Sequence, residues 1–183
     1  MNKPRMATLW LDGCSGCHMS VLDMDERILE ILGQVELVYS PLVDTKEFPS
    51  NVTLTLVEGA IASKEDAAFI QRVRANTKWL VALGDCAITG NVPGMRNAIS
   101  LERLFGASYQ KLSAATAITE LLPQVLPLHQ VVPVDLFLPG CPPPVAAIYA
   151  LFQEFLWAVN EANGDLEAMR FTFDATQYTG FGR

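Results

Sequence analysis

The chain has 183 residues, of which half are apolar and fewer than a fifth are charged. Its formal net charge is −7 and no run is rich in lysine and arginine, which excludes nucleic acid as a partner. The sequence also lacks the run of about 20 apolar residues that a membrane-spanning helix needs. The length predicts one domain, residues 1–183, and the apolar excess predicts either a generous core or a large buried interface.

Five short apolar runs predict strands: residues 6–11, 35–39, 52–57, 79–83 and 134–138. Three stripes of apolar residues at helical spacing predict helices. The stripes are Val21/Met24/Ile28/Ile31, Ala67/Ile70/Val73 and Ile148/Leu151/Phe152/Phe155/Val159. Gly33 is predicted to end the first helix. Ser63 and Asp66 form an approximate capping box before the second stripe. Glycine and proline predict a loop over residues 87–112, with a short helix near residues 101–105. A further helical turn is predicted over residues 114–122, and the prolines after it limit regular structure.

The alternation of strands and helices predicts an α/β sandwich with a mostly parallel sheet. In such a sheet the carboxyl ends of the strands share one edge, where ligands bind. Cys14, Cys86 and Cys141 each follow a separate predicted strand, and Glu58 follows another. We therefore expect these four residues to converge on a single site.

The N-terminus lacks the long apolar segment of a secretory signal, which predicts a cytoplasmic protein, where disulfides are rare. The chain's four cysteines then indicate metal binding, redox chemistry or burial. Four thiolates suit an iron–sulfur cluster or structural zinc, but zinc sites normally use two close pairs. Here only Cys14 and Cys17 are close in sequence, which favours a cluster. A thioredoxin-like dithiol that uses this pair alone is the main alternative, and plain burial of the cysteines is another.

The cysteines lie in motifs that occur in a specific order: Trp10-Leu11-Asp12-Gly13-Cys14-Ser15-Gly16-Cys17-His18, Val57-Glu58-Gly59-Ala60-Ile61, Gly84-Asp85-Cys86 and Pro139-Gly140-Cys141-Pro142-Pro143. In this order they resemble the motifs of the small, electron-transfer subunit of [NiFe] hydrogenases. The resemblance is strongest to the short subunit of cytoplasmic, NAD-reducing hydrogenases. It extends more distantly to the cluster-bearing subunit of respiratory complex I, whose first motif has adjacent cysteines instead of the spaced pair found here.

The resemblance implies a flavodoxin-like three-layer fold and one proximal [4Fe–4S] cluster, ligated by Cys14, Cys17, Cys86 and Cys141. It implies an electron-transfer subunit of an H2:NAD+ oxidoreductase with no catalytic residue of its own, because hydrogen is split at a nickel–iron site in a large partner subunit. Diaphorase subunits with further clusters, FMN and NAD are the other implied partners. No flavin is expected in this chain, since cysteines occupy its first turn. Because one cluster uses every cysteine, the next electron carrier must lie in another subunit.

Several residues near these motifs are further candidates. Glu58 is expected to accept a proton or a hydrogen bond at a subunit interface, and His18 either donates to a cluster sulfur or lies at the surface. Thr89 and Asn91 are candidate donors near the cluster. Residues 87–91 lack the double glycine often found after this cysteine motif, and Met19 stands where many small subunits have glutamate. The tail, residues 165–183, is expected to face a partner.

Overall fold

The computed structural model describes residues 3–108 and 119–161. The strands are β1 Arg5–Trp10, β2 Glu36–Tyr39, β3 Val52–Glu58, β4 Ile61–Ser63, β5 Thr77–Leu83, β6 Leu121–Leu126 and β7 Leu136–Leu138. The α-helices are α1 Gly16–Leu22, α2 Arg27–Gln34, α3 Lys64–Ala75, α4 Asp85–Thr89, α5 Asn91–Gly94, α6 Leu101–Ser108 and α7 Val145–Asn160. Short 3-10 helices cover Met95–Ala98 and Leu128–Gln130.

The main sheet has five parallel strands in the order β2-β1-β3-β5-β7. Counted along the sheet's own strands this is the order 2-1-3-4-5, which is that of flavodoxin-like folds. The predicted α/β class and the five predicted strands are therefore confirmed. A separate two-stranded antiparallel sheet joins β4 and β6.

Helices cover both faces of the sheet. Leu56 of β3 and Val81 of β5 pack in one cluster with residues of α1, α2 and α7. The next residues along the same strands, Val57 and Ala82, point to the other face and pack in a cluster with α3. Because successive side chains of a strand alternate between faces, strands buried on both sides read as continuous apolar runs. The predicted three-layer arrangement follows from this alternation.

The first predicted helix is interrupted. It begins earlier than expected, at Gly16, and a turn over residues 23–26 divides it into α1 and α2. In this turn Asp25 has a left-handed backbone, with φ of 52°, which aspartate tolerates better than most residues. The apolar spacing continues through the turn because both halves cover the same face of the sheet. The helix ends at Gln34, one residue after Gly33, so its predicted end is confirmed to within one residue.

Some of the other local predictions are confirmed and one is wrong. The capping box is confirmed, because Ser63 Oγ accepts from the Asp66 N–H at 3.0 Å and an Asp66 carboxylate oxygen accepts from the Ser63 N–H at 2.9 Å. The short helix near residues 101–105 is confirmed as α6. The loop predicted before it is wrong, since α4 and α5 occupy much of that segment. Regular structure also persists at Pro123, within β6, because proline is tolerated on edge strands.

Two predictions cannot be compared with the structure. Most of the helical turn predicted over residues 114–122 lies outside the described residues, and of the remainder Leu121 and Leu122 begin β6. The tail, residues 165–183, also lies outside them. Within the described ranges, no helix combines the length and apolar character needed to cross a membrane.

Candidate functional site

The cysteines gather at the carboxyl edge of the main sheet. Cys14 follows β1, Cys86 lies in the first turn of α4 after β5, and Cys141 follows β7. Cys17 is the second residue of α1. All four are free thiols; Cys17 and Cys86 are buried, whereas Cys14 and Cys141 are exposed. The convergence expected from the order of strands is therefore present in the fold.

Hydrogen bonds hold the cysteine turns against one another. An Asp85 carboxylate oxygen accepts from the Gly140 N–H at 2.8 Å, and the Asp85 N–H donates to the Gly140 carbonyl at 2.9 Å. Ser20 Oγ, on α1, donates to the Pro143 carbonyl at 2.6 Å. The turns that carry Cys17, Cys86 and Cys141 are thus tied to each other. The Gly140 N–H is engaged by Asp85 and is not available to another acceptor.

Gly84 packs its backbone directly against a cysteine sulfur. A Cβ on this residue would collide with Cys17 Sγ and would lie 3.3 Å from the Gly140 carbonyl oxygen. Its φ of 82° is also a conformation that side chains disfavour. Glycine therefore lets the backbone after β5 approach the cysteine sulfur closely, which a larger residue would prevent.

The electrostatics of the sulfurs also fit a cluster that contains iron cations. Burial raises the pKa of Cys17, and the charges of Glu58 and of the other three cysteines raise it further. Burial likewise raises the pKa of Cys86, against the lowering effect of the Val92 N–H. Neighbouring cysteines thus oppose the ionisation of Cys17 and Cys86, and bound iron would offset this repulsion because metals bind the deprotonated thiolate. Among the described residues, no group of three or more ligating side chains is close enough to hold a single metal ion.

A buried polar chain lies beside Cys17. Glu58 is 2% exposed, and one of its carboxylate oxygens accepts from the His18 backbone N–H at 2.9 Å and lies 2.5 Å from His18 Nδ1. His18 Nε2 lies 3.0 Å from Thr8 Oγ1, which donates to Ser40 Oγ at 2.9 Å. His18 is therefore neither at the surface nor directed at a cluster sulfur, as its two ring nitrogens are already paired. Thr8 interrupts an apolar strand, which is the one sequence signal for this network.

The smaller candidates separate into two groups. Thr89 Oγ1 donates to the Asp85 carbonyl at 2.9 Å and so serves the α4 turn. Asn91 Nδ2 lies 3.4 Å from Cys141 Sγ, as expected for a donor at the site. The Gly16 N–H donates to Cys14 Sγ at 3.4 Å. Of the two tryptophans in the strands, Trp79 is a core residue, whereas Trp10 is 50% exposed.

A family model described as NADH ubiquinone oxidoreductase, 20 Kd subunit, matches residues 14–155, a segment that contains all four cysteines. The chain belongs to this family. The family also includes hydrogenase small subunits, and the resemblance stated from the motifs is confirmed.

Individual relatives within this family point to hydrogenases. The chain is 36% identical over 167 residues to the NAD-reducing hydrogenase HoxS subunit delta of Cupriavidus necator, an alignment that covers 84% of this chain and 79% of the relative. It is also 36% identical over 147 residues to one chain of the F420-non-reducing hydrogenase vhu of Methanocaldococcus jannaschii, covering 76% of this chain but about half, 51%, of that relative.

A solved structure gives the same result for the fold. A chain in the crystal structure of an NAD+-reducing [NiFe]-hydrogenase in the H2-reduced state superposes with a TM-score of 0.80 and 32% identity. The match covers 94% of this chain and 97% of that one. The flavodoxin-like fold is therefore common to almost the full length of both chains.

The different burial of the thiols predicts an order of chemical reactivity in the metal-free, reduced protein. At pH 8 we expect iodoacetamide to modify the exposed Cys14 and Cys141 at least about tenfold faster than Cys17, and also faster than Cys86. The two buried thiols are less accessible, and their raised pKa values leave less of the reactive thiolate. The rates at the buried pair should continue to rise as the pH increases above 8. Mass spectrometry of a labelling time course measures the order. Modification of Cys17 and Cys86 as fast as that of Cys14 and Cys141 would contradict the burial of these two thiols.

Proposed function

We propose that this chain is the electron-transfer small subunit of a hydrogenase and holds one [4Fe–4S] cluster through Cys14, Cys17, Cys86 and Cys141. The observation that carries this proposal is the convergence of four free cysteines from separate turns on one edge of the sheet. The close approach of the Gly84 backbone to Cys17 Sγ, which only glycine allows, supports it. When bound, such a cluster supplies a one-electron carrier.

The protein's own residues give the site its asymmetry. Cys17 and Cys86 are buried and hold the inner side, while Cys14 and Cys141 are exposed on the outer side. Glu58 and the Asp85–Gly140 pair fix the turns on which the sulfurs lie. The ligands are thus held by a rigid scaffold before any metal binds, which limits the rearrangement that electron transfer requires.

We infer that electrons pass between this site and two partners. One is a large subunit that holds a nickel–iron site, and the other is a diaphorase module with further clusters, FMN and NAD. The relatives' names support this assembly. Exposed apolar side chains near the cysteine turns, Trp10, Met19, Val92 and Met95, supply a surface suited to the large subunit, because large apolar side chains are enriched at interfaces.

We also propose that residues 1–183 act as one electron-transfer domain in the cytoplasm. The two packed clusters on opposite faces of the same sheet support a single domain. The tail, residues 165–183, is proposed to face a partner subunit. Limited proteolysis of the assembled complex, compared with the separated chain, tests that assignment, since contact with a partner would protect the tail.

The dithiol alternative has less support. It uses only Cys14 and Cys17 and leaves Cys86 and Cys141 without a role, although hydrogen bonds tie the turns that carry them to the same site.

Anaerobic purification with co-expressed partner subunits tests the proposal. We expect the separated chain to carry about four iron and about four sulfide per chain, with an EPR signal that appears on reduction. The large subunit should co-purify through this chain. A chain without iron, isolated under the same conditions, would contradict the proposed function.

A further inference from the structure

Asn91 lies where two cysteine turns meet. It follows Gly90 at the junction of α4 and α5, and Asn91 and Gly90 have φ of 31° and 86°, respectively. Asparagine accepts such a left-handed backbone more readily than most side chains. This conformation occurs directly beside the Cys86 turn. Glycine would also adopt this backbone conformation, but it would provide no polar group beside the cysteines.

The side-chain amide of Asn91 reaches two sulfurs. Its Nδ2 lies 3.4 Å from Cys141 Sγ and 4.0 Å from Cys86 Sγ. An asparagine amide has two N–H groups, so one side chain can serve both sulfurs, of which one lies 50 residues away in sequence and the other five.

We propose that Asn91 donates hydrogen bonds to the sulfurs of Cys141 and Cys86 and thereby raises the reduction potential of the cluster they hold. The inference rests on the proposed function, because it requires a cluster at these cysteines. Reduction adds negative charge to the sulfurs, so an N–H donor stabilises the reduced state more than the oxidised state. Asn91 is neutral and is not a ligand, so this role is one of tuning and not of metal binding.

Two backbone N–H groups also donate to cysteine sulfurs, but they do not depend on the identity of a side chain. The Gly16 N–H donates to Cys14 Sγ and the Val92 N–H to Cys86, and no substitution except proline removes them. Asn91 is instead a side-chain donor that a substitution can change by itself. The electron affinity of the site is therefore adjustable at this position without altering the ligands.

Asn91→Gly is the decisive variant, because glycine keeps the left-handed backbone and removes only the amide. Asn51→Gly is its matched control, since Asn51 also has positive φ, 57°, and lies in the exposed turn before β3, away from the carboxyl edge of the sheet. The full complex is purified anaerobically, and the midpoint potential of this chain's cluster is measured by an EPR-monitored redox titration. Iron content is measured on the same samples.

We expect Asn91→Gly to retain its iron and to lower the equilibrium constant for reduction by about tenfold, which is about 59 mV for one electron. Asn91→Asp should lower the potential further, because it replaces the donor with a negative charge. Asn51→Gly should match the wild type. An unchanged potential in an iron-loaded Asn91→Gly variant would overturn this inference and leave the proposed function intact.

Loss of iron in Asn91→Gly would also overturn it, because Asn91 would then hold the two turns together instead of tuning the cluster. An iron-free wild-type chain would remove the proposed function itself, and the inference with it. Iron content thus separates the two failures before any potential is compared.

Discussion

Replacing Cys141 with serine is expected to abolish the proposed four-iron cluster. A serine oxygen is a much poorer ligand for cluster iron than a thiolate, and Cys141 is exposed, so the change removes little packing. We expect the iron content of Cys141→Ser to fall to about three per chain or fewer, with loss of the wild-type EPR signal. Hydrogen-dependent NAD reduction by the assembled complex should fall at least about a hundredfold, because the proposed electron carrier between the partner subunits would be lost.

The matched control for this result is Ser63→Ala. This variant removes the side-chain cap of α3 and is expected to cost about 1 kcal/mol of stability, yet it touches no cysteine. It should retain its iron and its EPR signal, which separates loss of a ligand from general destabilisation. A Cys141→Ser chain with full iron content and an unchanged spectrum would contradict the assigned ligand set. Retained dithiol activity in that variant would favour the pair Cys14 and Cys17.

The second large effect is expected at Glu58, inside the fold. In the described residues every buried side-chain nitrogen and oxygen has a hydrogen-bond partner. Glu58→Ala would leave the backbone N–H of His18 and its ring without their acceptor. Each buried group left unpaired costs about 1–3 kcal/mol. We therefore expect the free energy of unfolding to fall by about 3 kcal/mol, measured by urea denaturation followed by circular dichroism.

Two other glutamate variants serve as controls for Glu58→Ala. Glu58→Gln keeps an oxygen that can accept from the His18 N–H, so its loss should be about 1 kcal/mol. Glu47→Ala removes an exposed carboxylate and should change stability by less than about 0.5 kcal/mol. A Glu58→Ala variant as stable as the Glu47 variant would show that the buried chain from Glu58 to Ser40 contributes little to the fold.

Breaks in the helices explain why some local predictions failed. The apolar stripe from Val21 to Ile31 indicated one helix, but the left-handed turn at Asp25 divides it. Hydrophobic spacing reports which face is buried, and both helices bury the same face, so the pattern cannot reveal the break. The short helices α4 and α5 were similarly hidden by Gly90 and Pro93, since these residues are compatible both with loops and with helix ends.

The partners of polar side chains were also beyond the reach of the sequence. Glu58 and His18 were each placed near the site by their motifs, yet neither motif indicates that they bind one another. Their contact depends on how α1 starts relative to the end of β3, 40 residues away in sequence. Asn91 and Cys141 are likewise 50 residues apart and meet only because β5 and β7 are neighbours in the sheet.

The sequence by itself determined the α/β class, the five strands and the expectation that the cysteines share one edge. It could do so because apolar runs, helical spacing and the parallel sheet rule are local or topological properties. The tertiary structure alone decided which cysteines are buried, that Glu58 holds His18 inside the fold, and that Asn91 reaches two sulfurs. These features depend on the packing of distant segments, where a difference of about one ångström decides whether two polar atoms form a hydrogen bond.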